Sequence, residues 1–194
     1  MFVVGGFLAV AVFAWFVVLP RLQPAVFNGQ VIQSGAPAPA VVLEGPDGQP
    51  VSLTDFEGKV VVMYFGYTYC PDVCPVTLSK LARVRELLGE DADDVQVVMV
   101  TVDPERDSAE VLETYMSHFD PTFIGLTGDP SDINRIATVY GVYYEPEEST
   151  SSVGYLVNHT ATLMVIDKDG ELKLILPFDL TDEQVAADLA RFVG

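Results

Sequence analysis

KVVVMYFGYTYCPDVCP, Lys59 to Pro75, runs from an unbroken apolar stretch into both cysteines of the chain. Lys59 to Phe65 has the β-branched, continuous apolar character of a strand covered on both faces of a sheet. Downstream, Leu78, Leu81, Val84 and Leu88 recur at helical spacing up to Gly89. Cys70 and Cys74 therefore stand where a buried strand hands over to a helix. Pro71 and Pro75 limit how that helix starts, because proline is tolerated in the first turn but costs about 3 kcal/mol deeper inside.

The rest of the chain extends this alternation in both directions. After the acidic turn Glu90 to Asp94 comes a second buried strand, Val95 to Val102 (VQVVMVTV). Asp107 to Phe119 and Ser131 to Tyr140 are helical in pattern, the second stopped by Gly141. Val142 to Asn158 is polar and aromatic with no clear period, a long loop with room for a small hairpin, and loops of that length are often functional. Thr160 to Ile166 and Leu172 to Leu176 read as strands around the turn Asp167-Lys168-Asp169-Gly170. Thr181 caps a closing helix through Phe192, with Glu183 or Gln184 in its first turn. On the other side, VVLEGPDGQPVSL places two short apolar runs around Gly45 to Gly48, a hairpin signature. The order is hairpin, β, α, β, α, α, β-hairpin, α. Such alternation gives an α/β domain. With the cysteines at the strand-to-helix corner, it predicts a thioredoxin-like three-layer sandwich with an N-terminal β-hairpin over residues 41–194.

Ahead of this domain, Phe2 to Leu19 carries no charge over eighteen residues, about 27 Å of helix and close to a hydrocarbon core. Signal peptides have shorter apolar cores preceded by Lys or Arg. Residues 1–20 are therefore expected to be an uncleaved transmembrane helix. Arg21 follows the span, so the positive-inside rule does not favour a cytoplasmic N-terminus. Residues 21–40, rich in Pro, Ala, Gly and Gln, read as an extended linker.

A formal charge of -18 repels phosphate backbones and argues against nucleic-acid binding. It suits cations or a basic partner surface.

Free N–H groups and the dipole at a helix start favour thiolate over thiol, and Asp72 is placed to cap the same turn. Three residues between Cys70 and Cys74 put the sulfurs on one helical face. Helical neighbours have Cβ atoms about 5–6 Å apart, whereas a disulfide needs about 3.5–4.5 Å. A metal bridges that gap without distortion, although CxxxC tolerates redox chemistry too. Two thiolates make a soft site suited to Cu(I) or Zn. The third ligand expected is His159, at the mouth of a strand directly after the long loop. His118 ends a helix, where an imidazole meets the last carbonyls, and it reads as a structural cap. Met63, Met99, Met116 and Met164 read as core. A peroxide-sensing reading, with Thr68 near an attacking Cys70, ranks below the metal and redox readings.

Four stretches, GYTYCPDVCPVTL, TVDPERD, FIGLTGDP and VNHTATLMVIDKDG, spread over most of residues 41–194, resemble the SCO/SenC family. The resemblance implies a membrane-anchored copper metallochaperone for cytochrome c oxidase assembly, thioredoxin-like in fold, rather than a turnover enzyme. It implies copper, as Cu(I) or Cu(II), held by Cys70, Cys74 and His159 and delivered to the copper centre of cytochrome c oxidase subunit II. A copper donor would act upstream, and the domain would lie on the extracytoplasmic side of the cell membrane as a single-pass protein. The alternative is a thiol–disulfide oxidoreductase that reduces the partner's cysteines, with Cys70 and Cys74 cycling through a disulfide. Asp72 and Asn158 are the expected supporting residues around the metal. The family usually carries Asp at the position of Asn158, so here the hydrogen bond is kept and the charge lost.

Overall fold

In the computed structural model, the described residues are 26–33, 35–148 and 154–193. The expected transmembrane helix, residues 1–20, lies outside them. No helix among the described residues is long and apolar enough to cross a membrane.

The strands are β1 (Gln30–Val31), β2 (Val42–Glu44), β3 (Pro50–Ser52), β4 (Val60–Gly66) and β5 (Val95–Thr101), then β6 (Ile124–Leu126), β7 (Tyr144–Glu147), β8 (Leu156–His159), β9 (Leu163–Ile166) and β10 (Leu172–Leu176). The helices are α1 (Val73–Leu88), α2 (Ala109–Ser117), α3 (Pro130–Val139) and α4 (Asp182–Val193). One mixed sheet has the order β1-β10-β9-β4-β5-β6, and β2-β3 and β7-β8 form separate hairpins.

All seven residues of β4 and all seven of β5 are buried. Since successive side chains alternate between faces, both faces of the sheet are covered, which makes the three layers. The two strands pair in parallel in full register from Val60–Val95 to Gly66–Thr101. β9 closes antiparallel on the other side of β4, with Met63 opposite Met164. Helices α1 and α4 pack on each other, and α2 lies against β6. Gly125 permits that last approach, because a Cβ there would come within 2.7 Å of Leu112 Cβ. The four methionines expected in the core are all buried.

Two elements were not expected. Ile124–Leu126 is a sheet strand, but at three residues it is too short to show a period. Gln30–Val31, inside the stretch read as a linker, pairs antiparallel with β10. Its entry is held by Asp188, fully buried on α4. That carboxylate accepts the Asn28 N–H at 3.0 Å, the Asn28 side-chain amide at 2.9 Å and the Gly29 N–H at 2.8 Å. Phe27 stacks on Phe192 with ring centroids 5.5 Å apart. Farther along, Ala38 N–H donates to Gly170 O at 2.8 Å.

The closing helix is capped as expected. Gln184 N–H donates to Thr181 Oγ1 and Thr181 N–H to Gln184 Oε1, a reciprocal capping box. Gly141, with φ +69, ends α3, a conformation open to glycine without penalty. The stretch read as a long loop, 142–158, carries the hairpin β7-β8, which runs one residue past it to pair Tyr144 with His159.

Candidate metal centre

β4 ends at Gly66, and the chain turns through Tyr67 to Asp72 before α1 begins at Val73. Gly66 sets how closely the sulfur approaches the sheet. A Cβ there would lie 2.6 Å from Tyr64 Cε1, 3.1 Å from Cys74 Sγ and 3.3 Å from Met99 Sδ. Only a hydrogen fits. Cys74, in the first turn of α1, therefore buries its sulfur against β4, whereas Cys70 in the turn before it is half-buried.

Asp107, fully buried, pins this turn from the side. Its carboxylate accepts Thr68 N–H at 3.0 Å, Thr68 Oγ1–H at 2.5 Å and Thr101 Oγ1–H at 2.7 Å. Burial pushes the Asp107 carboxyl up, opposed by these same bonds.

Asp72 occupies the N-cap position of α1, but its exposed carboxylate makes no capping bond. A sulfur takes that role. The N–H of Cys74 donates to Cys70 Sγ at 3.4 Å, and Asp72 contributes through its backbone. Cys70 is drawn down to about 4, chiefly by the hydrogen bond from Cys74 and also by His159 and the two backbone N–H groups, against burial. Cys74 moves the other way, because it shares its proton with Cys70 and is buried. The two shifts oppose each other, so of the pair Cys70 is the one that gives up its proton first.

His159 ends β8, and its Nε2 lies 3.5 Å from Cys74 Sγ. The Thr160 carbonyl stands 3.3 Å from Nδ1. A carbonyl can only accept, so this contact places a proton on Nδ1 and turns Nε2 toward the sulfurs. The ring sits edge-on to Tyr64 and Tyr67, with centroids 5.9 Å away in each case. Tyr64 also donates its hydroxyl to Cys74 Sγ at 3.2 Å, and Tyr67 Oη accepts the N–H of Val157 at 3.1 Å.

The two sulfurs and one imidazole nitrogen all lie within 4.8 Å of one another, the one such group of three among the described residues. Metal–ligand bonds of about 2.0–2.3 Å span such a trio with little movement. His118 lies apart from it, at the C-cap of α2 with Nδ1 2.6 Å from Thr114 O. It is the helix cap expected. Asn158 is exposed and donates to Glu147 Oε2 across the hairpin at 2.7 Å. It alternates with His159 along β8, and this bond braces the hairpin that carries the ring.

Tyr64, Gly66 and Tyr67 were not singled out from the sequence. Aromatic residues inside an apolar strand read as core, and nothing in the residue pattern distinguishes a glycine that makes room for a sulfur.

The SCO1/SenC family model matches residues 41–194. The chain belongs to the SCO1/SenC family. This SCO1/SenC chain is 38% identical over 127 residues to the mitochondrial SCO1 homolog of Mus musculus, covering 64% of this chain and 45% of that relative. It spans about half the length of the mitochondrial SCO relatives it matches. ScoI of Bradyrhizobium japonicum, solved with copper bound, superposes with a TM-score of 0.73 at 37% identity, over 81% of this chain and 99% of that one. Apo Sco1 from Thermus thermophilus gives 0.76 at 42% identity, over 86% and 96%. The SCO1/SenC chain shares the thioredoxin-like α/β fold of these neighbours.

Proposed function

We propose that this chain is a membrane-anchored copper metallochaperone that carries one copper ion on Cys70, Cys74 and His159. The observation that carries the reading is the meeting of two sulfurs and Nε2 within 4.8 Å, drawn from the α1 corner and from β8. Two thiolates favour a soft ion such as Cu(I), and the imidazole extends the site to Cu(II).

Cys70 is the partly exposed thiolate and meets incoming copper first. Binding at Cys74 releases the remaining thiol proton, and the Tyr64 hydroxyl then steadies the negative sulfur. Delivery runs in reverse order by ligand exchange, with a thiolate of the recipient replacing the accessible Cys70 before the buried Cys74. The recipient in this reading is the copper centre of cytochrome c oxidase subunit II, and a copper donor loads the site upstream. Residues 1–20 hold the domain on the extracytoplasmic side.

The test is copper titration of the anaerobically reduced full chain in detergent, wild type beside Cys70→Ser, Cys74→Ser and His159→Ala. One copper per chain, lost in either cysteine variant, supports the reading. Unchanged binding in the cysteine variants removes it.

One observation favours thiol–disulfide exchange as a second reading. A half-buried Cys70, its sulfur accepting the Cys74 N–H at 3.4 Å, in front of a buried Cys74 has the form of an attacking and a resolving thiol. Cys70 would attack one sulfur of a partner disulfide and release the other as thiolate. Cys74, giving up its proton, would then displace the first sulfur and close a Cys70–Cys74 disulfide, a two-electron oxidation of this chain. Copper-competent protein that shows no exchange with glutathione disulfide would rule this out as the main activity.

A further inference from the structure

TVDPERD, Thr101 to Asp107, matches the family but supplies no metal ligand. Its arginine lies between the two halves of the site. The guanidinium carbon of Arg106 stands 3.8 Å from the ring centroid of Tyr155, 4.8 Å from that of Tyr69 and 5.9 Å from that of Tyr67. Tyr67 and Tyr69 belong to the turn that carries Cys70, and Tyr155 leads directly into β8 and His159. Arg106 Nε donates to Asp103 Oδ2 at 2.5 Å, and Nη1 donates to the carbonyl of Tyr155 at 3.1 Å. Tyr155 returns its hydroxyl to Asp103 Oδ1 at 2.7 Å. Asp103 is buried, so both bonds to it are sheltered from water.

We propose that Arg106 is a positioning residue that locks the histidine hairpin onto the cysteine turn and thereby holds His159 within reach of the sulfurs. The hairpin β7-β8 lies outside the main sheet, and a two-stranded hairpin is marginal in isolation. Its polar contacts to the cysteine turn run through Arg106 with Asp103 and through the bond from Val157 N–H to Tyr67 Oη, beside the burial of Val157 in the core. The planar guanidinium stacks on a ring and donates from its edge at the same time, which a lysine ammonium cannot reproduce. The consequence is selective. Loosening the hairpin withdraws the imidazole and leaves both thiolates in place, so Cu(II) retention falls while Cu(I) retention persists.

This inference rests on the proposed copper site, and its test keeps the two apart. Backbone amide exchange of Leu156 to His159 is measured on the metal-free full chain in detergent, for wild type, Arg106→Lys, Arg106→Met and Tyr155→Leu. Exchange at these amides is expected to rise about tenfold in the variants, between the scales of an exposed and a desolvated cation–π contact, with β4 and β5 amides unchanged. In copper competition the ratio of Cu(II) to Cu(I) affinity is expected to fall about tenfold. Tyr155→Leu serves if the arginine variants do not fold, since it removes the ring and hydroxyl while keeping the carbonyl. Unchanged hairpin exchange overturns the proposal, as does an equal loss of Cu(I) and Cu(II) affinity. Wild-type protein that takes no copper overturns the copper site alone, and the exchange measurement still decides the role of Arg106.

Discussion

The hydroxyl of Tyr64 donates to Cys74 Sγ across 3.2 Å, so a residue inside the central strand reaches the sulfur that the first helix buries. The bond favours the charged form of Cys74, against its burial and the shared proton. Removing it in Tyr64→Phe leaves the ring packed and takes away only the donor. Bonds to charged groups contribute about 1.5–3 kcal/mol, so Cu(I) affinity at neutral pH should drop by roughly tenfold or more. Competition with a chromophoric Cu(I) chelator measures it, and an unchanged affinity would show that the hydroxyl does not support the bound sulfur.

Gly66→Ala inserts a methyl group 2.6 Å from the Tyr64 ring and 3.1 Å from Cys74 Sγ. Overpacking of this kind costs about 1–3 kcal/mol. Urea denaturation should report that loss, and copper binding should weaken as well because the sulfur must move. Full stability with normal copper stoichiometry would mean that the strand end yields more readily than the packing implies.

Cys70, drawn down to about 4, should alkylate with iodoacetamide at a rate nearly flat from about pH 5.5 to 8. An ordinary thiol near 8.5 gains about tenfold per pH unit over that range. The same shift has a sign in stability. Between about pH 4 and 8.5 the unfolded chain binds the extra proton, so stability rises with pH. The contribution of Cys70 is complete above the unfolded value and lost as pH falls toward about 4. Urea unfolding of reduced wild type relative to Cys70→Ser should therefore show an advantage that grows from pH 5 to pH 8. An advantage that shrinks over that range would reverse the assignment of thiolate and thiol.

Asp188→Asn turns one acceptor into a donor facing the N–H groups of Asn28 and Gly29. A buried unsatisfied group costs about 1–3 kcal/mol, and the loss should be local. Faster amide exchange at residues 28–32, with the β4 and β5 amides protected as before, is the expected result.

Much of this was legible because two periodicities dominate the chain. Val60–Phe65 is an uninterrupted apolar run, Val95–Val100 is broken only at Gln96, and Leu78, Leu81 and Val84 repeat at helical spacing; the structure buries all of them. The meeting of Cys70, Cys74 and His159 was legible for a different reason, since only two cysteines and two histidines exist to choose from and His118 sits at a helix end. The two short strands were not, because Gln30–Val31 and Ile124–Leu126 form through partners far away in the chain. The capping by Asp72 failed because a sulfur accepts the backbone N–H instead. The bond from Asn158 to Glu147 was hidden for a reason of parity: neighbours in a strand point to opposite faces, and the partner of Asn158 comes from across a hairpin that has no clear period.

The clamp that Asp188 forms on Asn28 and Gly29 also governs geography. With residues 1–20 in the bilayer as proposed, only Arg21 to Phe27 would separate the membrane from the folded body, a leash of roughly 25 Å at full stretch. On such a leash the copper would be confined to a thin layer over the lipid surface. A recipient in the same membrane would then meet it by lateral diffusion at high effective concentration, and weak contact surfaces would suffice for the handover.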